Sequence, residues 1–91
     1  MEKAIALLEL QAYVAAVAAL DAMNKAADVE LIHVEKRLGG RLITLVVQGD
    51  VSAVTAALEA GAAAGEQLGE IKCKEVIARP HPNIMKFLTV G

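Results

Sequence analysis

Apolar positions fall into short blocks that alternate between two periods. Ala4 to Leu10 is apolar at every position except Glu9, the pattern of a buried strand. From Tyr13 to Ala27 the period becomes helical. Tyr13, Ala16, Val17, Leu20, Met23 and Ala27 share one face, while Asp21, Lys25 and Asp28 lie elsewhere. The many alanines favour the helix by intrinsic propensity. Val29 to Lys36 predicts a second strand, with Val29, Leu31 and His33 on one side and Glu30, Ile32 and Val34 on the other. Gly39-Gly40 interrupts it as a hairpin turn does. Leu42 to Val47 is a third strand, closed by Gly49-Asp50, and Asp50 suits the N-cap of a following helix.

That helix spans Val51 to Gly65, with Val51, Val54 and Leu58 inward and Ala57, Gly61 and Ala62 as small fillers. Gly61, Gly65 and Gly69 recur every four residues. In a bilayer this spacing serves helix dimerisation; in a helix this short it predicts close packing followed by a C-terminal stop. Ile71 to Arg79 reads as a fourth strand ended by Pro80, and Pro82 opens a last short helix to Leu88. The order β-α-β-β-α-β is the split βαβ pattern of ferredoxin-like folds. It predicts an α+β protein, residues 1–91 forming a single domain. A four-stranded antiparallel sheet carries two main helices on one face, followed by a short C-terminal helix.

Composition sharpens this picture. Hydrophobic residues make up 56% of the 91 positions, yet aromatics only 2%, so the core must be built from Ala, Val, Leu and Ile. A chain this small cannot bury so much apolar surface alone, and some of it is left for a partner. The net charge of -2, from 9 basic and 11 acidic residues, argues against a nucleic-acid footprint. Cys73 is the only cysteine, so no internal disulfide is possible and a reducing cytoplasm is the natural setting. Glu2 and Lys3 lead straight into strand-like residues, unlike a signal peptide. The longest uncharged stretch, Leu10 to Leu20, is shorter than the roughly 20 apolar residues that a membrane span needs.

A search for catalytic chemistry yields little. Ser52 falls in the first turn of a helix and reads as a helix-start residue. Cys73 falls within a strand and reads as a small packing residue. His33 and His81 show no metal-ligand spacing, and neither a metal nor a cofactor is implied. Glu9, Glu35 and Glu75 belong to different strands, and a catalytic pair among them stays open. Gly39-Gly40 lacks the surroundings of a phosphate-binding loop. Lys36, Arg37 and Arg41 bracket those glycines, with Glu35 the nearest acid. In an isolated chain such a turn is solvated and blocks edge-to-edge pairing; on a symmetry axis it becomes a ring of positive charge.

Taken in order, several segments resemble the bacterial microcompartment shell domain: Ala6-Leu7-Leu8-Glu9-Leu10, the run Asp21 to Val29, Glu35-Lys36 before a glycine turn, Gln48-Gly49-Asp50-Val51 with Ala53-Val54, Gly61-Ala62-Ala63-Ala64, and Ile77-Ala78-Arg79-Pro80-His81. The similarity runs nearly end to end, in the non-permuted order. It implies a non-enzymatic, cytoplasmic subunit of a microcompartment shell. Flat homohexamers would tile with other shell proteins around encapsulated enzymes. By the same resemblance Lys25 and Arg79, with Pro80 and His81, form the hexamer edge. The turn Lys36, Arg37, Leu38, Gly39, Gly40 and Arg41 lines a central pore for small polar or anionic metabolites, with backbone amides of the glycines forming the narrowest ring. The turn departs from the family's Lys-Ile-Gly-Ser-Gly, and the segment down to Asp50 is one residue longer. The extra residue belongs either in the turn or in a bulge of the third strand. Two rival readings fit the same topology: a dimeric regulatory domain binding a small molecule between subunits, and a small ferredoxin-like enzyme.

Overall fold

The computed structural model describes residues 3–90, with side chains to residue 87; the reading of the N-terminus at Glu2 lies outside them. The elements are β1 (Ala4–Gln11), α1 (Tyr13–Ala26), β2 (Glu30–Arg37), β3 (Leu42–Gly49), α2 (Val51–Gly65), β4 (Ile71–Ile77) and α3 (Pro82–Val90). The strands form one antiparallel sheet in the order β2-β3-β1-β4, the α+β split βαβ arrangement anticipated from the sequence. The most apolar strand, β1, takes a central place, and its Ala4, Ile5, Ala6, Leu8 and Leu10 are fully buried.

Side chains alternate across the sheet. On one face Ala4, Ala6, Leu8 and Leu10 join Ile43, Leu45 and Val47 of β3 beneath α1 and α2. The helices present small residues to each other. Gly61 faces Met23 and Ala19, Gly65 faces Leu10, Ala15 and Ala19, and Gly69 lies against the Gln11 carbonyl. The four-residue glycine spacing is therefore a packing seam within the chain. On the other face Ile5 and Val46 are covered by Leu7, Ile32, Ile77 and Met85 of α3, so α3 covers part of the sheet opposite α1 and α2. Two layers with this partial third layer give a slab with extents of 35 × 26 × 16 Å.

Several local expectations are corrected. The inward face of α1 is Ala15, Ala16, Ala19 and Met23, while Tyr13 and Val17 are about half exposed. The gap to α2 is sized for alanine, and the bulkier stripe rotates outward. Val51, at the first position of α2, is also exposed, and burial begins at Val54. In β2 the pairing with β3 slips between Leu31 and His33, leaving Ile32 as a bulge. Beyond it the phase inverts, so that Val34 and Lys36 turn to the helix side. The pairing of β3 with β1 is unbroken, so the bulge sits in the second strand, not the third. Strand β4 stops at Ile77 because its last partner is Ile5, near the start of β1; Arg79, preceding Pro80, is already in the connection to α3. Cys73 is exposed. It lies on an edge strand opposite Glu9, outside the apolar cluster that α3 covers.

Candidate functional site

The chain reverses between β2 and β3 through a tight three-residue turn, Leu38–Gly40. Leu38, Gly39 and Gly40 all have positive φ, at 55°, 67° and 87°. Glycine adopts such angles without strain, whereas Leu38 does so at a cost. A β-carbon at either glycine would meet nothing within 4 Å, so the demand in the single chain is conformational and not steric. Arg41 ties the turn together: its amide and its Nε donate to the Leu38 carbonyl at 3.3 and 3.1 Å. The Ala12 amide donates to the Arg41 carbonyl at 3.1 Å, fixing the turn to the start of α1. Leu38 is left 65% exposed at the tip.

The three cations around the turn do not form one cluster. Lys36 lies on the helix side, its Nζ 5.3 Å from the centre of the Tyr13 ring, within cation–π range. Arg37 lies on the opposite face, its Nε 3.6 Å from Glu35 Oε2. Glu35 also meets His33, Oε1 to Nε2 at 3.2 Å. The hydrogen bond from His33, reinforced by Arg37, holds the Glu35 carboxyl below the usual glutamate range, against a smaller opposing effect of desolvation.

The three glutamates left open by the sequence share one face. Glu35, Thr44, Glu9 and Cys73 form a row across all four strands, with Glu75 in the next row opposite Leu7. Thr44 Oγ1 donates to Glu9 Oε2 at 3.3 Å and separates Glu9 from Glu35. Two strand spacings, roughly 10 Å, keep those carboxylates from sharing a proton. Among the described residues no group of three His, Cys, Asp or Glu could hold a metal ion.

Lys25 lies in the last turn of α1, its Nζ 2.9 Å from Asp21 Oδ2. The hydrogen bond and charge of Asp21 raise its pKa. Arg79, Pro80 and His81 form the β4–α3 connection. The Asn83 amide donates to His81 Nδ1 at 3.1 Å, so the histidine caps its own helix. These residues lie at the end of the sheet where Ile5 pairs with Gln48 and Ile77. The glycine turn lies at the other end, next to Gln11, which pairs with Leu42. The length of β1, roughly 25 Å at about 3.3 Å per residue, separates the two groups.

Two features escaped the sequence reading. One is a groove of about 250 Å³ between α1 and the β2–β3 hairpin, lined by Tyr13, Val17, Leu20, Val34, Ile43 and Leu45 among others. Its only sequence signal is an apolar stripe too bulky for the α1–α2 gap. The other is a basic cleft that brings Lys3 and Lys86 beside Arg79 and His81. Lys86 lies one helical turn after Pro82, but nothing in the sequence places Lys3 there.

Comparison with known proteins sets these features in a family. The family model for the BMC domain matches residues 4–80. The chain is 46% identical to the bacterial microcompartment shell protein PduA of Citrobacter freundii over 99% of its own length and 96% of that protein. It is 44% identical to the shell protein EutM of Escherichia coli K12 over 98% and 91% of the two chains. To the carboxysome shell protein CsoS1C of Hydrogenovibrio crunogenus it is 40% identical over 97% and 86%. A crystal structure of a microcompartment protein from Desulfitobacterium hafniense superposes with a TM-score of 0.85 at 23% identity. The chain spans all of its own length but 49% of that longer one, and this likeness speaks for the fold alone. With a family match over most of its residues and relatives covered nearly end to end, the chain belongs to the BMC domain family of microcompartment shell proteins.

Proposed function

We propose that this chain is a structural subunit of a bacterial microcompartment shell, with no catalytic role, whose copies close head to tail into flat hexamers and tile into a layer. The observation that carries this reading is the separation of the two residue groups along β1. A subunit of a ring is a wedge. One end must meet the symmetry axis and the other must meet the neighbouring ring. The strained, exposed turn Leu38–Gly40 suits the axis, and Lys25 with Arg79, Pro80 and His81 suits the rim. The slab shape suits a layer. The apolar groove beside the turn, with Tyr13 and Val17 exposed along it, offers the flank that a neighbouring subunit would cover.

Around such an axis the turn forms the pore, with the backbone of Gly39 and Gly40 and the side chain of Leu38 at its rim. Lys36 and Arg37 point to opposite sheet faces, so one mouth carries Lys36 and the other carries Arg37 with its partner Glu35. Rings of cations favour permeation of small polar or anionic metabolites. Other shell proteins and encapsulated enzymes are the partners this role implies. Electron microscopy of the concentrated protein tests the tiling: extended sheets or tubes are expected, lost in Lys25→Ala without loss of the folded subunit. Dispersed particles at every concentration would contradict it.

A further inference from the structure

Beyond the tile reading, the basic cleft at the far end of the sheet has the character of a ligand site. It measures about 750 Å³ and is lined by Lys3, Gln48, Arg79, Pro80, His81, Pro82, Met85 and Lys86. That volume lies in the range of small-molecule sites, roughly 300–1,000 Å³. No described residue lining it is acidic, although the chain as a whole carries a net charge of -2. Basic side chains from three separate segments meet there: Lys3 just before β1, Arg79 in the β4–α3 connection and Lys86 in α3.

His81 is prepared for the same task. Its Nδ1 accepts the Asn83 amide proton, so in the neutral ring the remaining proton must be on Nε2. The helix cap thus fixes the tautomer and leaves a donor available. Pro80, Pro82 and Met85 add an apolar lining. Donors and cations together with an apolar wall suit a small molecule with a charged head and a short carbon body.

We propose that this cleft binds a small organic oxyanion, one bearing a phosphate or carboxylate group, with Lys86 and the His81 Nε2 proton as its recognition groups and Arg79, already engaged within the chain, as part of its wall. Lys3 contributes less. It also borders a neighbouring cleft that contains Asp28, Glu30 and Asp50, whose carboxylates compete for its charge. The inference goes beyond the tile reading; because Arg79, Pro80 and His81 also belong to the proposed rim, binding is read on dilute protein kept below the onset of tiling, where the cleft is open.

Isothermal titration with inorganic phosphate and, separately, with succinate tests it, each against sodium chloride at matched ionic strength. Saturable binding of either anion is expected, one per chain; phosphate alone, succinate alone or both then identifies the group recognised. Lys86→Ala weakens that binding about tenfold, the scale of one charge-assisted hydrogen bond, and Lys3→Ala weakens it less. His81→Asn retains a capping side chain but removes the Nε2 donor, and binding falls while the thermal midpoint holds. Heats that match the chloride control overturn the proposal. So does binding that survives Lys86→Ala and His81→Asn unchanged, or binding abolished by Arg37→Glu at the distant turn.

Discussion

The Ala12 amide donates to the Arg41 carbonyl at 3.1 Å, so the residue just before α1 also anchors the turn between β2 and β3. Ala12 makes this bond from φ 77° and ψ 131°, a region that residues with a β-carbon avoid. Backbone strain of this kind costs on the order of 1–3 kcal/mol, and here it positions the turn assigned to the pore.

Relief of that strain gives the first prediction. Ala12→Gly removes the clash but adds unfolded-state entropy worth roughly 0.5–1 kcal/mol. The larger effect wins, and the variant gains up to about 2 kcal/mol. A higher thermal midpoint checks this; a lower one would show that Ala12 bears no strain.

The glycine seam gives an ordered pair. A β-carbon at Gly61 would stand 2.5 Å from Met23 Cγ. Overpacking of that kind costs roughly 1–3 kcal/mol, partly offset by the better helix propensity of alanine, about 1 kcal/mol. At Gly69 the β-carbon would collide with the Gln11 carbonyl, and backbone cannot rotate aside as a side chain can. Gly69→Ala is therefore the more damaging, by about 3 kcal/mol or more. Denaturant midpoints rank the two; the reverse order would contradict the packing described.

Glu35 sets an acid-side dependence. A carboxyl whose folded pKa is depressed stabilises the fold at neutral pH. That contribution fades as pH falls from about 4.3, the ordinary glutamate value, through the lower folded value. Because His33 is the main cause, His33→Gln moves the Glu35 titration upward, and Glu35→Gln flattens the acid limb of the thermal midpoint. An acid limb of unchanged shape in Glu35→Gln would refute the assignment.

How legible the fold is depends on how local each cause is. The apolar run Ala4 to Leu10 and the glycines at 39 and 40 carry their own signals, and strand, turn and topology follow from them. The inward face of α1 does not, because the narrow gap left by α2 decides between Ala19 and Val17. The Ile32 bulge depends on pairing with β3, and the exposure of Cys73 depends on where α3 lies. The candidate site divides in the same way. Arg79-Pro80-His81 is visible as a motif, while Lys3 and Lys86 join it only through folding. The opposite directions of Lys36 and Arg37 follow from strand alternation near the turn.

The pore assignment predicts a change in permeation. Arg37→Glu reverses charge at one mouth and leaves Glu35 without its cationic neighbour. In assembled shells or in planar layers, anion flux should fall relative to that of a neutral solute of similar size. Equal anion flux in the two proteins would remove Arg37 from the pore.

The tile requires six copies to close around the Leu38–Gly40 turn, and the mass of the protein in solution tests that directly. Sedimentation equilibrium of dilute protein, kept below the onset of tiling, should give six times the 9.5 kDa of the chain. A stable dimer or monomer over the whole concentration range would contradict the tile, and a dimer would favour the ligand-binding regulatory domain that shares its topology.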